Sequence, residues 1–256
     1  MCPQYNEKKL FEHIKIFWAR MQIPKLIRQC EITEHWEEQC FLFIKYDEYD
    51  NGALVMMNHI VAWSHQQFMD VIVKVANAEN HYKAIDFYLE YQPKLLCELL
   101  STLASKLEHG RVVGQIRRAK RMPLVKQYLQ QIQPSNLKEV NDALNELLME
   151  ENNWEELRES VDNFDNFDQI GLAKDLFEHE FVEFRRISSY LYKKNGRYEE
   201  SVTLSKQDKL YKDAMDTAAQ SNDSALVEDL MTFFITEVLA MLLPLLTRLI
   251  FIALLR

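Results

Sequence analysis

The sequence is short of glycine and proline. Its 256 residues contain 5 Gly and 6 Pro, where average usage would supply about 18 and about 13. Strand hairpins, bulges and phosphate-cradling loops consume glycine. A chain this poor in it argues against sandwiches, barrels and Gly-rich nucleotide folds, and for helices joined by tight turns. Sustained two-residue alternation, the mark of a half-buried strand, is also missing. The four cysteines (Cys2, Cys30, Cys40, Cys97) form no CxxC pair, and no apolar stretch opens the chain. A reducing, cytosolic setting without a secretory signal is therefore expected. The net charge of −9 speaks against nucleic acid as a partner.

Chemistry-bearing motifs are scarce as well. There is no GxxxxGK[ST], GxGxxG or GxSxG frame. The seven histidines (13, 35, 59, 65, 81, 109 and 179) include no two that are three or four apart, so no helix face carries a ligand pair. Cys30 and Cys97 sit among apolar helix positions and are expected in the core. Carboxylates cluster at Glu150, Glu151, Glu155, Glu156, Asp162, Asp165 and Asp168. A solvated face or helix N-termini account for them better than acid–base catalysis. No catalytic residue, cofactor or metal site is expected.

Helical spacing is what the sequence does contain. Leu10, Phe11, Ile14, Phe17, Trp18 and Met21 draw one stripe, which Pro24 ends. Further stripes follow at 68–75, at 82–89, after Pro93, after Pro123, and at 137–148, where Pro134-Ser135-Asn136 supplies a turn and a cap. Later helices are expected at 165–178, 181–194, 198–206, 210–220 and 223–236, with a stop at Asn195-Gly196. Connections of two to five residues favour antiparallel neighbours. A weak frame of aromatic, two polar, small and aliphatic residues begins at Tyr198 and Tyr211, and more loosely at His81 and Tyr49. Together these predict an all-α chain, an α-solenoid of helical hairpins.

Two features can carry binding. Arg111, Arg117, Arg118, Lys120, Arg121 and Lys126 fall within sixteen residues. They reverse the net charge locally and suit an acidic partner helix. The second feature is Val238–Leu255, apolar but for Thr247 and Arg248. As a helix it would be ~27 Å long, near the thickness of a hydrocarbon core, and it opens the alternative of a tail-anchored membrane protein with a cytosolic helical array.

Several segments are similar to the clathrin heavy chain family. They include Phe11-Glu-His-Ile-Lys-Ile-Phe-Trp-Ala-Arg20, Lys45-Tyr-Asp-Glu-Tyr-Asp-Asn51, Met56-Met-Asn-His59, Ala84-Ile-Asp-Phe-Tyr-Leu-Glu90, Pro123-Leu-Val-Lys126, Asp162-Asn-Phe-Asp-Asn-Phe-Asp168 and Leu210-Tyr-Lys-Asp-Ala-Met215. The resemblance covers about residues 5–236. It implies a TPR-like superhelix from the proximal leg, with one clathrin heavy-chain repeat over 10–157 and most of a second over 158–236. Residues 237–256 form a divergent tail. It further implies a non-enzymatic coat component of endocytosis and vesicle transport on the cytoplasmic face of coated pits and vesicles. Its partners would be the clathrin light chain and other clathrin heavy chains, with the membrane reached peripherally through the coat or, in the alternative, through the tail. The six basic residues are the expected light-chain contact.

Overall fold

The computed structural model describes residues 7–237, and among them every regular element is helical. The chain divides into two compact units, Met1–Leu147 and Leu148–Arg256. The first contains α1 (Glu7–Phe17), α2 (Ile23–Ile32), α3 (Trp36–Lys45), α4 (Tyr49–Asn58), α5 (His65–Ile72), α6 (Ala78–Tyr91), α7 (Leu96–Leu103), α8 (His109–Arg118) and α9 (Lys126–Ile132). The division falls within α10 (Lys138–Glu150). The second unit contains α11 (Trp154–Asn163), α12 (Gln169–Phe177), α13 (Val182–Lys194), α14 (Tyr198–Gln207), α15 (Tyr211–Ser221) and α16 (224–237). The apolar run Val238–Leu255 and Cys2 lie outside the described residues.

Packing follows chain order. α2 lies on α3, α3 on α4 and α4 on α5; in the second unit α12 lies on α13, α13 on α14 and α14 on α15. This is the α-solenoid of helical hairpins that the periodicity predicts. Each hairpin buries its apolar stripe against its neighbours, so the core comes as a series of local clusters. One gathers Ile14, Ile27, Cys30 and Leu42 under Trp18, Phe41 and Phe43. Another gathers Val202, Ala214, Ala218 and Leu230 under Leu226, Phe233 and Phe234.

The turns have a common construction. Among the described residues, seven α-helices end with a left-handed residue; Asn222 (φ 54°) ends α15, and the other six, Glu34, Asp47, Lys120, Asn152, Gly196 and Lys209, at φ between 55° and 74°, share one closure. The next N–H reaches back to the carbonyl five residues earlier in each of the six. The pairs are His35 to Cys30 (2.9 Å), Glu48 to Phe43 (2.9 Å), Arg121 to Ile116 (3.3 Å), Asn153 to Leu148 (2.9 Å), Arg197 to Tyr192 (2.9 Å) and Leu210 to Ser205 (2.8 Å). This is the Schellman closure, which satisfies carbonyls that the helix end leaves open. Glycine occupies the left-handed position only at Gly196. The glycine shortage therefore does not mean few left-handed turns; Lys, Glu, Asp and Asn adopt that conformation at some conformational cost.

After five of these turns the next helix begins on an aromatic residue: Trp36, Tyr49, Trp154, Tyr198 and Tyr211. Three of the four expected frames thus mark this joint. His81 does not, since it is the fourth residue of α6 rather than its first. Trp36 and Trp154 are the copies that the sequence pattern misses, because Gln39 and Leu157 stand where the frame asks for a small residue. Where that residue is small, as in Gly52, Ser201 and Ala214, it is buried between helices.

Other expectations shift locally. The stripe from Leu10 breaks after Phe17 into a 3₁₀ turn at Trp18–Arg20. Pro93, Pro123 and Pro134 each open a 3₁₀ turn or sit at its second position, and a helix follows. Asn136 is left-handed at φ 48° and stands one place before the cap of α10. Its Oδ1 accepts from Asn141 Nδ2 at 2.8 Å. Cys30 is buried, but Cys97 is only half-buried.

Candidate functional site

The basic run occupies the end of α8, its Schellman turn and the start of α9. α8 buries Val112, Val113, Gln115 and Ile116, and this orientation turns Arg111, Arg117 and Arg118 outward. Lys120 and Arg121 follow in the turn, both exposed, and Lys126 opens α9 half-buried.

The structure separates these six residues. The Arg111 guanidinium grips Glu79 of α6 through two bonds of 2.7 Å. It also lies 3.7 Å from the Tyr82 ring centroid. The bond from Arg111 holds the Glu79 carboxyl below its usual range, and that same bond raises Arg111. Arg117 reaches Glu146 at 2.5 Å. These two cations serve as ties between neighbouring helices. Arg118 donates only to the Gly114 carbonyl of its own helix, at 3.2 Å. Among the described residues, Arg118, Lys120 and Arg121 form no ion pair. The accessible positive charge is thus three residues at one turn rather than six along a stretch. The sequence cannot show this, because Glu79 and Glu146 lie 32 and 29 residues from their arginines.

Two histidines beside this region repeat one device. His65 opens α5 and His109 opens α8. His65 Nδ1 lies 2.9 Å from the Tyr88 hydroxyl, and His109 Nδ1 lies 2.8 Å from that of Tyr128. Burial pushes both tyrosines well above the ordinary phenol range. The rings anchor helix starts to buried tyrosines, and His59 stacks on Trp36 at 3.6 Å. Burial raises the Cys30 thiol to about 11 and the Cys40 thiol to about 12. Neither therefore offers a thiolate nucleophile near neutral pH. Among the described residues, no three His, Cys, Asp or Glu side chains are arranged to hold a metal ion. No helix among them is long and apolar enough to cross a membrane. Glu155 and Glu156 lie in the first turn of α11, Asp162 pairs with Arg158 at 2.9 Å, and Asp168 caps α12 by accepting from Gly171 N–H at 2.9 Å.

Comparison with known proteins places this geometry. A family model described as "Clathrin: Region in Clathrin and VPS" matches residues 3–96 and 100–238. Clathrin heavy chain 1 of Oryza sativa subsp. japonica is 53% identical over 238 residues, which are 93% of this chain and 14% of that protein. Clathrin heavy chain 2 of Homo sapiens is 47% identical over 238 residues with the same shares. The clathrin heavy chain of Dictyostelium discoideum is also 47% identical over 238 residues. The chain therefore spans about 14% of the length of the relatives it matches. The ordered hairpins and the matches across both units agree: the chain belongs to the clathrin heavy-chain family.

Proposed function

We propose that this chain is a structural, non-catalytic segment of the clathrin coat, from the proximal leg. It carries one heavy-chain repeat over 10–157 and most of a second over 158–236. It binds the clathrin light chain and neighbouring heavy chains on the cytoplasmic face of coated pits and vesicles. The observation that carries this reading is the family match through nearly all of both units. The serial hairpins, which offer long side faces to elongated partners, support it.

The light-chain contact is assigned to Arg118, Lys120 and Arg121. Arg111 and Arg117 act as its scaffold, and Lys126 flanks it. Exposed cations without a counter-charge steer and register an acidic helix, whereas cations already bound to carboxylates contribute little further. A pull-down of purified chain with light chain tests the reading. Retention is expected, weakened roughly tenfold in the triple variant Arg118→Glu, Lys120→Glu, Arg121→Glu. No retention of the unmodified chain would overturn the function, and unchanged retention of the variant would overturn the contact. The tail-anchor alternative rests on Val238–Leu255, and full release by carbonate extraction would exclude it.

A further inference from the structure

A largely buried glutamate at the start of α3 lacks the partner that its position normally provides. Glu38 is the third residue of α3 and retains 6% exposure. A glutamate there commonly reaches back to the N–H of the cap residue. In this turn the cap is His35, and its N–H is already given to the Cys30 carbonyl at 2.9 Å. The left-handed closure of α2 thus removes the donor that would satisfy Glu38.

The same position after the sibling turns is occupied differently. Asn51 donates to Glu48 at 2.6 Å. Glu200 faces Arg197 at 3.4 Å, and Asp213 faces Arg186 at 2.7 Å. Glu38 accepts no hydrogen bond and forms no ion pair among the described residues. The small exposed part of Glu38 is its carboxylate, whose oxygens are not among the fully buried unpaired atoms, and the α3 N-terminus favours a negative charge there.

Glu38 lines a cavity of about 510 Å³ whose walls include Glu34, Glu37, Phe11, Trp36 and Val61. Glu34 and Glu37 also lack ion pairs among the described residues. Lys15 stands 4.0 Å over the Phe11 ring but pairs with Glu12 at 3.2 Å, not with these carboxylates. The Trp36 indole is fixed by its near-parallel stack on His59, 6° between planes. The carboxylates do not converge as metal ligands. Separated carboxylates with aromatic walls match a planar organic cation, which accepts charge along its edge and aromatic contact on its face. We infer that this cavity is a docking pocket for an arginine side chain presented by a protein partner. Its guanidinium pairs with Glu38 at the base, and its stem lies against Phe11, Trp36 and Val61. This site is separate from the basic turn, and the inference does not depend on the light-chain assignment.

Titration of the purified chain with N-acetyl-arginine amide, followed at the Trp36 indole N–H by heteronuclear NMR, tests it. Saturable binding is expected with a dissociation constant on the order of millimolar. N-acetyl-citrulline amide, which has the same shape without the charge, should bind at least about tenfold more weakly. Glu38→Gln should lose about tenfold in affinity. Glu37→Gln, at an exposed position that leaves folding intact, should weaken binding roughly threefold. Absence of saturation by about 100 mM would overturn the inference, as would equal binding of the two probes or an unchanged affinity in both variants.

Discussion

The turn after α14 and the turn after α8 share one backbone and treat charge in opposite ways. After α14, Asp208 is held by Arg185 through Nε and Nη2 at 2.7–3.0 Å, with side-chain exposures of 5% and 17%. Arg185 also donates to the carbonyls of His179 and Glu180, and Asp213 is taken by Arg186. Those carboxylates are matched, although Lys209, at the place of Lys120, forms no ion pair among the described residues. After α8, Lys120 and Arg121 stand in the same closure and, among the described residues, form no ion pair. The turn after α2 leaves Glu34, Glu37 and Glu38 similarly open, with the opposite sign. One backbone solution therefore carries matched carboxylates at one joint and unmatched charges at others, which we propose as recognition points.

The largest effect on this contrast comes from removing the partner of a matched carboxylate. Arg185→Met should destabilise the second unit by roughly 3–5 kcal/mol, because Asp208 would remain buried without a counter-charge. A fall in the urea midpoint measures it. An effect no larger than that of an exposed pair would show that Asp208 is not matched in the sense described.

A smaller effect is expected at Asp50, which caps α6 from a different helix. It accepts from the N–H groups of Ala76 (3.2 Å) and Asn77 (3.0 Å) and from Asn80 Nδ2 (2.9 Å). Burial alone would raise its carboxyl, but these donors together outweigh burial and hold it below its ordinary 3.8. The folded state thus favours the ionised form. Its contribution is complete above the ordinary value and is lost as pH falls through the lowered one. Asp50→Ala should cost roughly 1–2 kcal/mol at neutral pH, with the difference from the unmodified chain shrinking in acid. Denaturant titrations at pH 7 and pH 3 would show both.

The smallest effect tests the shared backbone itself. Gly196 is left-handed at φ 74°, and a β-methyl there would meet nothing within 4 Å. Gly196→Ala therefore costs only the conformational penalty, about 1 kcal/mol, whereas Lys209→Gly at the equivalent place should stabilise slightly. Thermal melts of the two variants should move in opposite directions.

Much of the architecture is legible in the sequence because one apolar stripe per helix is enough to mark it. The joints are less legible. A left-handed cap normally announces itself as glycine, and here Glu34, Asp47, Lys120, Asn152 and Lys209 fill the position. The aromatic that starts the next helix is readable as a tyrosine frame but hidden at Trp36 and Trp154. The basic cluster is visible as composition. Its division into Arg111 and Arg117, tied to distant carboxylates, and Arg118, Lys120 and Arg121, left open, depends on tertiary contacts. The isolation of Glu38 depends on a backbone N–H spent within the preceding turn, which no residue pattern reports.

The most direct test of the open-turn account is a calorimetric titration of light chain into three forms of the protein: unmodified, Arg118→Glu with Lys120→Glu and Arg121→Glu, and Arg111→Gln with Arg117→Gln. The account predicts roughly tenfold weaker binding for the first variant, and near-unchanged affinity with lower thermal stability for the second. Equal losses in both variants, or a loss confined to the second, would contradict it.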